Sequence, residues 1–233
     1  MLELTIFPPA FSEISGSPFT VKAMCLMHHS GQPYKIKFIA DPRKAPKGKF
    51  PILTHGVKII PDSEQIRDYM EQQFNIDYDA GLTPAQRGYS RSIIRMIDEH
   101  VYFIMLASRW QKDTHWPATR AELFRGMPRL LSKIIPNQIR KKVIQNLIGQ
   151  GVGRHSETEQ LERVQKDITA IAAVLGDKKF LFGETATAAD YSTVPMLRAI
   201  TSFPIASPLS KLVTSQPVLM AYIARGKKSF YPT

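Results

Sequence analysis

Three short runs near the start of the chain place hydroxyl, amide and carboxylate groups where a small thiol or an amino acid could be held. The first is Ser17-Pro18-Phe19-Thr20. Serine followed by proline predicts a helix cap and the first helical residue. A helix N-terminus offers unpaired N–H groups and the positive end of a dipole, so a hydroxyl there can hold a thiolate and lower the pKa of a bound thiol. The second is Phe50-Pro51, just before Ile52-Leu53. A cis bond at this proline would turn the preceding N–H and C=O toward a ligand, letting Phe50 pair with a peptide as a strand does. The third is Asp62-Ser63 at the start of a predicted helix. A serine hydroxyl with helix amides binds a carboxylate and a neighbouring acid attracts an ammonium group, a combination that suits an amino-acid head group. Each run also has a plainer use: Ser and Asp are favoured N-caps, and most Xaa-Pro bonds are trans.

The elements that must position these runs follow from periodicity. Leu2, Leu4 and Ile6 alternate with Glu3 and Thr5, predicting a half-buried strand that ends at Pro8-Pro9. The helix opened by Ser17 carries Val21, Met24, Cys25 and His28 on one face and stops at Gly31 and Pro33. Tyr34, Ile36 and Phe38 predict a second strand, leading into a basic, proline-rich loop from Asp41 to Lys49. Ile52-Leu53, a turn at His55-Gly56 and Val57 to Ile60 predict a hairpin stopped by Pro61, and Ile66, Tyr69, Met70 and Phe74 space a helix after it. Beyond a linker around residues 75–82 the pattern is helical. Thr83-Pro84 opens a long helix through Ile94, Ile97, Val101 and Met105, and Ser156 with Glu159 caps another that closes at Gly176. The segment from Arg120 to Arg154, interrupted by Pro128, Pro136 and several glycines, is expected to form short helices and loops. The fold class is therefore a small mixed sheet covered by helices over residues 1–78, followed by an all-α domain over 83–233.

Composition narrows the classes. The 233 residues are 43% hydrophobic, enough to bury a sizeable core, and contain no long apolar run or basic-then-apolar leader, so a cytoplasmic protein is expected. The one cysteine, Cys25, excludes an intramolecular disulfide, and at its helical spacing it is expected to be a packed core thiol. His28 and His29 are adjacent, and no Cys/His cluster or HExxH spacing occurs, so no metal site is expected. The formal charge of +11 favours anionic partners. Part of it is concentrated in Arg120, Arg125, Arg129, Lys133, Arg140, Lys141, Lys142 and Arg154, with Glu122 the sole acid among them. Peripheral contact with an acidic surface suits this segment. Nucleic acid is not expected, because Phe124 is nearly the only aromatic there.

Taken in order, these features resemble the glutathione transferase superfamily across nearly the whole chain. Ser17-Pro18-Phe19-Thr20 stands where thioredoxin-like proteins carry Cys-x-x-Cys, Phe50-Pro51 where such a sheet carries its cis-proline, and Thr187-Ala188-Ala189-Asp190 after Phe182-Gly183-Glu184 looks like the family's buried capping box. The resemblance implies a thioredoxin-like N-terminal domain, an all-α C-terminal helical domain, glutathione as co-substrate, a small electrophile and a homodimer. It implies that Ser17 bonds the glutathione sulfur, Phe50 before Pro51 pairs with the cysteinyl backbone, Asp62 and Ser63 hold the γ-glutamyl end and Lys49 reaches the glycyl carboxylate. The electrophile's pocket would draw on the long helix, with Arg91, Arg95, Tyr102, Arg109 and Trp110 as candidate lining residues, although ordinary packing and surface charge are the better account of each one. The run Asp41 to Lys49, Ser108-Arg109-Trp110 with Trp116, and Gly153-Arg154-His155-Ser156 are similar to the failed axon connections and metaxin-like branch. That branch leaves two functions open: conjugation of glutathione, or a non-catalytic scaffold using the basic segment on an acidic partner or membrane surface. Serine at the redox-cysteine position argues against a thiol reductase.

Overall fold

The computed structural model describes residues 1–232, the side chain of Lys44 excepted. The first strand, β1 (Leu2–Ile6), is central because Leu4 and Ile6 are fully buried. Helix α1 (Pro18–His29) crosses over to the parallel strand β2 (Tyr34–Phe38), while β3 (Ile52–His55) runs antiparallel to β1 and pairs with the edge strand β4 (Lys58–Pro61). The sheet order is β2-β1-β3-β4. Pro61 does not stop the hairpin short: it is the last residue of β4, opposite Ile52, at an edge where a missing N–H costs little. Helix α2 (Ser63–Phe74) covers β3 and β4 and packs on α1.

Every later element is helical. Helix α3 (Pro84–Met96) continues through a π turn at Ile97–Val101 into α4 (Tyr102–Trp110), forming one rod. The π turn brings Asp98 inward onto Lys22 of α1 at 2.8 Å, the kind of functional or junction feature with which such turns are associated. Then come α5 (Trp116–Leu123), α6 (Arg129–Ser132), α7 (Ile135–Gln150), α8 (Glu157–Leu175), α9 (Ala188–Thr201), α10 (Pro208–Thr214) and α11 (Pro217–Phe230). The 120–154 segment is more ordered than its prolines implied. Pro136 sits in the first turn of α7, where it opens a helix instead of breaking it.

Helix α9 is buried along nearly its whole length, against α1 on one side and α10 and α11 on others. Gly226 permits the α11 contact, since a Cβ there would lie 2.7 Å from Val194 Cγ2. The start of α9 is fixed by Asp190, whose carboxylate accepts from Thr187 N–H at 2.8 Å, Thr187 Oγ1 at 2.9 Å, Leu181 N–H at 3.0 Å and Tyr222 Oη at 2.6 Å. Asp79 joins the linker to both halves, accepting from Arg67 at 2.8 Å, Ser90 Oγ at 3.0 Å and Ala188 N–H at 3.2 Å. The branch-like residues fasten the helical half. Trp110 and Trp116 stack at 5.4 Å, and a Cβ on Gly153 would meet the backbone of Leu147 and Ile148 at 2.7 Å.

Candidate functional site

The strand directions decide where the three runs meet. β1 and β4 point the same way and β3 runs against them, with Thr5 opposite Ile52 and Ile52 opposite Pro61. The carboxyl ends of β1 and β4 and the amino end of β3 therefore share one edge of the sheet. The N-terminus of α1, the Phe50-Pro51 pair and the N-terminus of α2 are all delivered to that edge. Asp62 N–H bonds Pro51 O at 3.1 Å, and Lys22 Nζ of α1 bonds Glu64 Oε1 of α2 at 2.7 Å, which ties the two helix starts together.

The loop before α1 is held by its own hydrogen bonds and by one to α5. Gly16 N–H bonds Pro8 O at 2.9 Å, Ser15 Oγ donates to Phe7 O at 2.7 Å, and Phe11 N–H donates to Glu122 Oε2 at 2.8 Å. Phe11 and Ser12 both take left-handed backbone conformations, φ 57°, unusual for two consecutive non-glycine residues. This scaffold sets Ser17 at the N-cap with an extended backbone. Its carbonyl is occupied by Thr20 and Val21, but its hydroxyl makes no capping bond. Pro18 has no N–H, and Thr20 N–H turns back to Ser17 O, so the amide of Phe19 is left without a partner among the described residues. The tip of α1 thus presents a free hydroxyl and a free N–H.

The Phe50-Pro51 bond is cis. Phe50 is buried with its ring edge-on to Phe7 at 5.0 Å, while its backbone N–H and C=O are not taken up by other described groups. Asp62, at φ 82°, holds a backbone conformation that side-chain-bearing residues rarely adopt. Its Oδ1 accepts from Glu64 N–H at 3.0 Å and its Oδ2 from Lys49 Nζ at 2.8 Å. Burial would raise this carboxyl, but Lys49 and the Glu64 amide outweigh it and hold the group below its ordinary value. Ser63 is buried beside it and makes no hydroxyl hydrogen bond among the described residues. Lys49 and Asp62, which the resemblance assigns to different ends of a ligand, are paired with each other.

Sequence reasoning missed the support beneath these groups. Lys22 is 2% exposed and bridges Glu64 and Asp98. Burial raises the Asp98 carboxyl despite Lys22; Glu64, partly buried, is held low by Lys22, Arg67 and Arg91. The signal was a lone lysine in an otherwise apolar helix. Cys25 is fully buried, and desolvation pushes its thiol up, so it is an inert core group.

On the helical side, Arg91 and Arg95 are engaged with Glu64 and Glu99, and Trp110 packs on Trp116. Tyr102 and Arg109 do face the first half. Tyr102 meets Phe19 edge-on at 4.6 Å. Arg109 is 5% exposed, stacks 4.1 Å from the centre of the Phe11 ring and donates to Ala199 O, and among the described residues it makes no ion pair and its Nε has no partner. Burial lowers its pKa to about 10, which still leaves it charged at neutral pH. It lines a small cavity with Glu13, Ser15, Gly16, Pro18 and Val21, beside the start of α1.

Comparison with known proteins fits this geometry. Residues 18–115 match the model of the glutathione S-transferase N-terminal domain, and residues 164–226 that of the glutathione S-transferase C-terminal domain. Isoprene-epoxide–glutathione S-transferase of Rhodococcus sp. (strain AD45) is 28% identical over 99% of both chains. Failed axon connections of Drosophila melanogaster is 24% identical over 93% of this chain, which spans 54% of that protein's length. A glutathione S-transferase of Ceriporiopsis subvermispora, solved in complex with glutathione, superposes with a TM-score of 0.66 at 18% identity, covering 97% of this chain and 96% of that one.

Proposed function

The chain belongs to the glutathione S-transferase superfamily, and on that premise we propose that it conjugates the glutathione thiolate to a small electrophile, residues 1–78 holding glutathione and residues 83–233 presenting the electrophile. The observation that carries this reading is the α1 tip, where the Ser17 hydroxyl and the Phe19 amide have no partner among the described residues. Both are donors at the positive end of a helix, and a sulfur anion is what such a pair favours.

In this reading Ser17 donates to the sulfur, and the free N–H and C=O of Phe50 pair with the cysteinyl unit. Asp62 and Ser63 receive the γ-glutamyl ammonium and carboxylate, and Lys49 turns from Asp62 to the glycyl carboxylate. The thiol loses its proton to solvent, and the thiolate attacks carbon directly, with no covalent enzyme intermediate. The name of the Rhodococcus relative makes a short alkene epoxide the first electrophile to try. Sulfur would bond to one ring carbon as that C–O bond opens, and the alkoxide would take a proton from water. A second, non-catalytic role on an acidic surface is favoured by Arg129, Lys133, Lys141 and Lys142, which are exposed and make no ion pair among the described residues.

Turnover of Ser17→Ala tests the reading. Losing a donor to a developing or bound anion lowers kcat by roughly 10²-fold, and the pH–rate profile should move to higher pH while glutathione still raises the unfolding midpoint. Unchanged turnover would remove Ser17 from the mechanism.

A further inference from the structure

The basic segment divides into two sets once its contacts are assigned. Arg120 donates to Ser132 O at 2.7 Å, Arg140 to Trp110 O at 2.8 Å, Gln111 O at 3.0 Å and Asp113 at 2.7 Å, and Arg154 to Ile148 O at 2.8 Å. These three arginines fasten helices together. Arg125 pairs with Glu122, the segment's one acid. Arg129, Lys133, Lys141 and Lys142 are exposed and make no ion pair among the described residues.

Large aliphatic side chains stand exposed between and beside those four cations. Leu130 is 81% exposed, Leu131 48% and Ile134 59%, and along α7 Ile139, Ile148, Lys141 and Lys142 are exposed as well. Isolated exposed aliphatics need no explanation, but three within five residues, bracketed by unneutralised cations, form a patch that water alone does not favour.

From this juxtaposition we propose that α6 and α7 dock the protein on an anionic phospholipid surface, Leu130, Leu131 and Ile134 entering the acyl boundary while Arg129, Lys133, Lys141 and Lys142 meet the headgroups. Charge complementarity selects this occupant. A second copy of the chain, joined isologously, would set these cations against themselves. Protein interfaces concentrate aromatic anchors at their centre, whereas this patch is purely aliphatic and basic, the composition of segments lying in a bilayer interface. The contact is peripheral, because no helix among the described residues is long and apolar enough to cross a membrane. The proposal rests on the acidic-surface role given above, is independent of the glutathione reading and uses none of its residues.

Vesicle co-sedimentation at about 0.1 M salt tests it. The full chain should bind vesicles of phosphatidylcholine with phosphatidylserine and should not bind phosphatidylcholine alone. Reversing the four cations (R129E, K133E, K141E, K142E) should weaken binding by more than about a hundredfold, since each basic residue near such a surface contributes roughly a fivefold factor. Leu130→Ser with Ile134→Ser, which leaves every charge in place, should weaken it by at least about tenfold. All variants should keep the wild-type unfolding midpoint; were the charge reversal to lower it, the Leu130→Ser and Ile134→Ser pair carries the test alone. Absence of binding to the anionic vesicles, or equal binding to both kinds, overturns the proposal. Undiminished binding of the serine variant would mean a purely electrostatic surface, suited to an acidic macromolecule, and would overturn it too.

Discussion

Replacing Asp190 by alanine removes the shared acceptor of four hydrogen bonds at the head of α9. Asp190 and Tyr222 are 0% exposed, Leu181 1% and Thr187 2%, so the abandoned donors have no ready access to water. At about 1 kcal/mol of net stabilisation per bond the gross loss is about 4 kcal/mol. Part is recovered, because the interior no longer holds a carboxyl whose pKa burial raises against the pull of its donors. An overall loss of about 3 kcal/mol remains. For a chain of this size that lowers the thermal midpoint by roughly 6–12 °C, readable by calorimetry or circular dichroism. Tyr222→Phe removes one donor and should cost only about 1 kcal/mol. A midpoint for Asp190→Ala within about 2 °C of wild type would refute the reasoning.

Three further outcomes follow from the same kind of accounting. Lys22→Met should destabilise the fold by about 3–5 kcal/mol, because it leaves Asp98 buried beside Glu64 without their common cation; urea unfolding checks this, and adding Asp98→Leu should restore much of the loss. Gly226→Ala should cost about 1–3 kcal/mol by forcing α11 away from Val194, and a variant as stable as wild type would show that the contact yields freely. Asp62 has a folded-state pKa below its unfolded value, so its contribution to stability is complete above the ordinary carboxylate range and is lost as pH falls through the depressed value. Lys49→Ala should raise that carboxyl in an NMR titration, and an unmoved titration would deny Lys49 its part.

What was legible in the sequence was local. Ser156 with Glu159, Thr83-Pro84 and the start of α1 are signals carried within four residues, and each forms where its spacing put it. The alternation of Leu2, Leu4 and Ile6 likewise sufficed for the central strand. What escaped depends on partners far along the chain. Lys22 meets an acid 76 residues away, and only the folded rod turns Asp98 toward it. The pairing of Lys49 with Asp62 needed the hairpin to close, and Pro136 does not interrupt α7 because it falls in the first turn. The three candidate runs are each common as caps and turns. Their order gave the fold class, but only the strand directions bring them to one edge.

In the proposed reaction a thiol-bearing tripeptide lies across the joined starts of α1 and α2, and the unfolding midpoint with and without reduced glutathione tests this most directly. At a concentration about a hundredfold above its dissociation constant, a ligand bound only by the folded state adds about 2.7 kcal/mol, a rise of roughly 5–10 °C for this chain. The rise should survive in Ser17→Ala and shrink in Asp62→Ala. A wild-type midpoint indifferent to millimolar glutathione would contradict the site.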